Sequence, residues 1–108
     1  MTTKEVLIAA RDLIAEPEHW IKGAMAKRTR GSRVRLDSDH PDATCFCLLG
    51  AVVCAAGVGK LILEDAEDTL RVWLPANYNG QISDFNDARS TTHADVLAVL
   101  DCAIEAAP

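Results

Sequence analysis

Hydrophobic positions along this chain recur mainly with a helical period. Val6, Leu7, Ala10, Leu13 and Ile14 fall three or four residues apart and predict an amphipathic helix from the N-terminus to about Ala15. Thr2 and Glu5 stand at capping-box spacing: the Thr2 hydroxyl can accept from the Glu5 amide while the Glu5 carboxylate reaches back. Pro17 disfavours helix at Glu16 and closes this element. Because proline suits a first helical position, the same residue can open a second, shorter helix through His19, Trp20, Ala24 and Met25, with Gly31 just past its end.

The pattern then changes. Arg33 to Asp37 alternates polar and apolar residues, a short strand signal. Asp37 to Asp42, containing Pro41, reads as a loop, with Asp42 placed to N-cap the next helix. From Thr44 to Ala56 the residues are apolar or small on all sides, so this segment is expected to be a central helix buried around most of its circumference. Gly57 and Gly59 supply its stop.

Leu61 to Leu63 fits either a strand or a helix start. Ala66, Leu70, Trp73 and Leu74 share one face of a helix over Glu64 to Leu74. Its acidic first turns complement the helix dipole, and Pro75 ends it. Asn77-Tyr78-Asn79-Gly80 reads as a turn, and Phe85-Asn86-Asp87-Ala88 as a polar loop. A last helix runs from Thr92 to about Ala107. Thr92 and Asp95 form its capping box, and Val96, Leu97, Val99, Leu100, Ala103 and Ile104 form a broad apolar face.

No repeat, low-complexity stretch or linker divides the chain. With 108 residues and 49% hydrophobic content it fits one domain around one core, residues 1–108. The expected fold is mainly α: a single compact domain of four to five helices around a central apolar helix, with room for one short strand or hairpin. Aromatic residues make up only 5% of the chain, so Ala, Leu, Val and Ile must build that core. Trp20 and Trp73 read as core or half-buried anchors. The unbroken apolar run Val6 to Ala10 is too short for a signal segment or a bilayer span. A cytoplasmic protein without membrane contact is therefore expected.

Charge alters this picture in one place. The chain carries a net charge of -5, which argues against nucleic acid as a partner of the whole surface. Yet Lys22, Lys27, Arg28, Arg30, Arg33 and Arg35 lie in one window without an acidic residue between them, leaving 5 basic against 16 acidic residues elsewhere. Such a window is a candidate patch for phosphates or an acidic partner, most directly through Lys27, Arg28, Arg30, Arg33 and Arg35. It reads equally as a solvated stretch paired with Asp37, Asp39 and Asp42.

The candidate chemistry centres on thiols. Cys45, Cys47, Cys54 and Cys102 all lie in apolar stretches, where free cysteine acts as a small hydrophobe. Cys45 or Cys47 near the start of the central helix gains dipole stabilisation of a thiolate. With Cys47 as nucleophile, His93 as base and Asp87 or Asn86 orienting it, the set has the residue types of a thiol-dependent hydrolase or transferase. A zinc reading from Cys45, Cys47, His40 and Cys54 or His93 lacks the paired spacing of structural sites, so neither metal nor cofactor is expected. Asn86 and Asp87 also suit a structural role, bonding the backbone where the chain enters the last helix.

Cys47-Leu48-Leu49-Gly50-Ala51, Phe85-Asn86-Asp87 and Thr92-His93-Ala94-Asp95-Val96-Leu97, with a closing Asp101-x-Ala103, resemble an uncharacterised family of small bacterial and phage-associated proteins. The family pattern has a Trp ahead of a Gly in its first third, an aromatic-Cys-Leu-x-Gly-Ala segment and an aromatic-Asn-Asp element leading into a Thr-His helix. Trp20 and Gly23 match the first of these, while Phe46 and Phe85 stand where Trp is more usual. The window from Lys27 to Arg35 falls outside the pattern. The resemblance implies a domain type of unknown function and assigns no role. The leading expectation is a non-enzymatic accessory or interaction domain with a protein or small-molecule partner, acting as a monomer or small homo-oligomer. The thiol enzyme and the phosphate- or nucleic-acid-binding module over Lys22 to Arg35 are the alternatives.

Overall fold

A computed structural model describes all residues from Met1 to Pro108. Five helices carry the fold: α1 (Thr3–Leu13), α2 (Leu48–Ala56), α3 (Lys60–Trp73), α4 (Ile82–Asp87) and α5 (His93–Ala106). Between α1 and α2 the chain makes a 3-10 turn at Pro17–His19 and two short strands, β1 (Ala26–Lys27) and β2 (Cys45–Phe46). The strands pair antiparallel, Ala26 opposite Phe46 and Lys27 opposite Cys45. The architecture is mainly α, as the periodicity predicts.

The helix ends explain themselves locally. Both expected capping boxes form, Thr2 with Glu5 on α1 and Thr92 with Asp95 on α5. The α1 box holds the Glu5 carboxyl below its ordinary value, chiefly through the hydrogen bond between Thr2 and Glu5. No residue of α2 is fully exposed, so the segment predicted to be central is central. It packs on α1, α3 and α4, while α1 also packs on α3 and α5. Twenty buried residues drawn from all five helices, Trp20 and the two strands form one hydrophobic cluster.

Four expectations are corrected. The helix expected over Pro17 to Met25 is only the Pro17–His19 turn. Beyond it the backbone bonds to distant chain: the Ile21 amide donates to Phe46 O, and Gly23 turns at φ 81°. The strand expected at Arg33 to Asp37 reduces to one bridge, Leu36 against Ala26. The central helix begins at Leu48 rather than Thr44, and its N-cap is Cys47 rather than Asp42, because Cys45 and Phe46 are taken by β2. Asp42 pairs with Arg28 instead, at 2.6 Å.

The fourth correction concerns the expected Asn-Asp loop, which is α4. Burial of Ile82, Phe85 and Asn86 overrides the weak helix propensity of Asn and Asp in this short run. Elsewhere, the expectation of four core cysteines holds for Cys45 and Cys47, whereas Cys54 is half-buried and Cys102 is exposed on α5.

Candidate functional site

Asn86 is the hub around which the irregular segment is assembled. Its side chain is fully buried. Trp20 Nε1 donates to Oδ1 at 2.6 Å, and the Leu48 amide donates to the same oxygen at 3.0 Å. Asn86 Nδ2 donates to Ile21 O at 3.1 Å and to Asp87 Oδ1 at 2.9 Å. The partners fix the amide orientation, since indole and backbone N–H groups only donate and a carbonyl only accepts. One side chain thereby joins α4, the first amide of α2, the Trp20 indole and the Ile21 carbonyl.

Asp87 extends the link. Its Oδ1 also accepts from the Gly23 amide at 2.9 Å. At φ 81° Gly23 holds a backbone conformation that a side chain would strain. Lys22 Nζ donates at 2.6 Å to Ala88 O, the carbonyl capping α4. The segment from Trp20 to Gly23 is thus tied to α4 at successive points.

These ties shape a cleft of about 750 Å³. Met25, Cys47, Cys54 and Asp87 line it together with Arg35, Asp37, Ser38 and Asp39 from the connection between the strands. Three carboxylates face one guanidinium, so the cleft is net acidic. Ser38 is 6% exposed, and its Oγ is shut from solvent without a hydrogen-bond partner. The cleft is deepened by a close approach: a Cβ on Gly50 would collide with Met25 O, so α2 can lie against this strand only with glycine there.

Of the residues expected to form a thiol site, the structure gathers Cys47, Asp87 and Asn86, and directs His93 elsewhere. Cys47 and Asp87 line the cleft; His93 does not. His93 Nε2 lies 2.6 Å from Ile14 O, and since a carbonyl only accepts, this ring nitrogen is the donor. It satisfies the carbonyl that ends α1 and stacks obliquely on Trp20, ring centroids 5.8 Å apart.

Cys47 Sγ accepts from the Gly50 amide at 3.2 Å and touches Met25 Sδ at 3.9 Å. The expected dipole-lowered thiol is not found. Burial pushes the Cys47 thiol up, and the Asp87 carboxylate adds to the rise against the opposing pull of the Gly50 amide. Burial and Asp39 raise Cys54 in the same way. Both cleft thiols are therefore biased toward their neutral form.

The basic window divides. Arg28 is neutralised by Asp42, Arg35 faces the cleft, and Arg33 lies exposed. Lys22, Lys27 and Arg30 line a separate small pocket. The sequence reading missed Ser38, Met25 and Asp39 as cleft residues. A serine buried between two loop aspartates has no periodic signal that could reveal it.

No helix is long and apolar enough to cross a membrane. No curated protein and no solved structure matches the chain. A family model does match it, over residues 1–106, and the chain belongs to that family, described as a family of unknown function, DUF6197.

Proposed function

We propose that this protein is a non-enzymatic interaction domain whose recognition site is the cleft between α2, α4 and the connection from β1 to β2. The observation that carries this reading is the way the cleft is held. Asn86 and Asp87 fasten its rim by hydrogen bonds between residues more than sixty positions apart, so the cavity is formed before any ligand arrives. Its surplus of carboxylates, Asp37, Asp39 and Asp87 against Arg35, suits a cationic group such as an amine or guanidinium. The unpaired hydroxyl of Ser38 in its wall is the kind of buried polar group that binding or a small wall rearrangement can satisfy.

The thiol-enzyme reading with Cys47, His93 and Asp87 draws less support, because the raised Cys47 thiol and the His93 ring serve different neighbours. The setting we propose is cytoplasmic, in a bacterial or phage-encoded context. Four cysteines without a disulfide fit a reducing compartment.

The test is an amide-resolved NMR titration with small amines, guanidines and short Lys- or Arg-containing peptides. Saturable shifts are expected at Gly23, Met25, Asp39 and Cys54, weakened in Asp39→Asn. Chemical conversion of an added compound would favour the enzyme. The absence of any shift at the cleft across the panel would remove the reading.

A further inference from the structure

A second cavity, of about 200 Å³, is lined by Trp20, Ile21, Lys22, Lys27 and Arg30. Three of these five residues are cations, and no carboxylate lines the pocket. None of the three is in an ion pair, although the chain pairs Arg11 with Asp101, Arg28 with Asp42, and Arg71 with Glu67 and Asp68. In a protein of net charge -5, three cations lining one small pocket without an ion-pair partner form an unusual local concentration of positive charge.

One of the three cations is held in place by its side chain, and the other two keep free donors. Lys22 Nζ is anchored by its bond to Ala88 O and stands 5.5 Å from the centre of the Trp20 ring. An ammonium has three donors, so two remain for a ligand. Lys27 projects from β1, whose backbone is pinned to β2. Arg30 makes one long bond, 3.4 Å to Pro17 O, which leaves most of its guanidinium donors unused.

We propose that this pocket binds a phosphoryl dianion, free or as a monoester, through Lys22, Lys27 and Arg30. A phosphoryl dianion supplies the opposite charge that the pocket's lining lacks, and its several acceptor oxygens suit donors that approach from separate arms. A nucleobase is not part of the ligand: Trp20 is only 6% exposed and its indole N–H is bound to Asn86, so the ring offers no stacking platform. The pocket size fits one phosphoryl group and the first atoms of its carrier. This site is independent of the acidic cleft.

The test is an NMR titration of the intact protein with inorganic phosphate and O-phosphoserine, with acetate and a short single-stranded DNA as comparisons. Saturable shifts at Ile21, Lys22 and Lys27 and at the Trp20 indole are expected for both phosphates, each weakening as pH falls through that ligand's own second phosphate ionisation, about 6 for O-phosphoserine. Lys27→Gln with Arg30→Gln should weaken binding at least about tenfold, while Arg33→Gln with Lys60→Gln, both exposed and outside the pocket, should change it less than about twofold. Binding of O-phosphoserine much tighter than inorganic phosphate identifies the carrier as part of the ligand; equal binding identifies free phosphate. An absence of saturation in the wild type, equal losses in the two double variants, or DNA binding tighter than either phosphate would overturn the proposal.

Discussion

The start of α5 and the last turn of α4 are a few residues apart in the chain, yet they are held in opposite ways. Thr92 and Asp95 exchange two hydrogen bonds across three residues, and the geometry is complete within one helical turn. Asn86 makes its bonds to Trp20 and Ile21 across 66 and 65 residues, in full burial. The first device is local, exposed and replaceable by water. The second joins distant parts of the chain at a fully buried point, so it carries both the shape of the cleft and a larger share of the stability.

Removing the hub sharpens this contrast most. Asn86→Ala leaves Trp20 Nε1, the Leu48 amide and Ile21 O without partners inside the core, and about 4 kcal/mol of stability should be lost in denaturant unfolding. Asn86→Asp keeps the acceptor but turns the donor into a carboxylate oxygen facing Ile21 O and Asp87. Its folded-state pKa is then raised, so the variant should be most stable at low pH and lose stability as pH rises through that value. A melting temperature that is flat with pH would contradict this account of the hub.

Gly50→Ala attacks the same assembly from the α2 side. The added methyl meets the Met25 carbonyl, which cannot move without disturbing β1, and about 3 kcal/mol should be lost. Unfolding close to wild type would show that the strand pair yields easily and that the cleft is softer than its bonds suggest.

Thr92→Ala tests the local device and should cost about 1 kcal/mol with an unchanged denaturant slope. A loss as large as that of Asn86→Ala would erase the distinction between the two regions.

The smallest effect concerns Cys47. Because burial raises its folded-state value, its contribution is fully present below the ordinary thiol pKa of about 8.5. It is lost as pH rises from there through the folded value. Thermal midpoints should fall more steeply above that pH in wild type than in Cys47→Ala. Alkylation of native Cys47 at neutral pH should also be slower than that of exposed Cys102, as mass spectrometry of the labelled peptides would read.

Sequence alone was enough for α1 and α5, for α3 apart from its first turn, where Leu61 to Leu63 fitted strand or helix equally, for both capping boxes and for the central burial of α2. Each rests on interactions spanning one or two turns, which periodicity and cap residues encode directly. Of the candidate site, Cys47, Asn86, Asp87 and Arg35 were legible as residue types in suggestive places. Their roles were not. The failed second helix at Pro17 to Met25 and the unrecognised α4 both follow from long-range packing: distant partners in α4 and β2 take the groups of Trp20 and Ile21 that a local helix would have used, while burial of Ile82, Phe85 and Asn86 carries α4 past its weak propensity.

Tertiary structure alone decided that His93 caps α1, that Ser38 lies buried beside an acidic cleft and that Lys22, Lys27 and Arg30 share a pocket without a carboxylate. These depend on side chains meeting across long loops. A linear pattern records which residues are available for such meetings; the packing of the whole core selects the ones that occur.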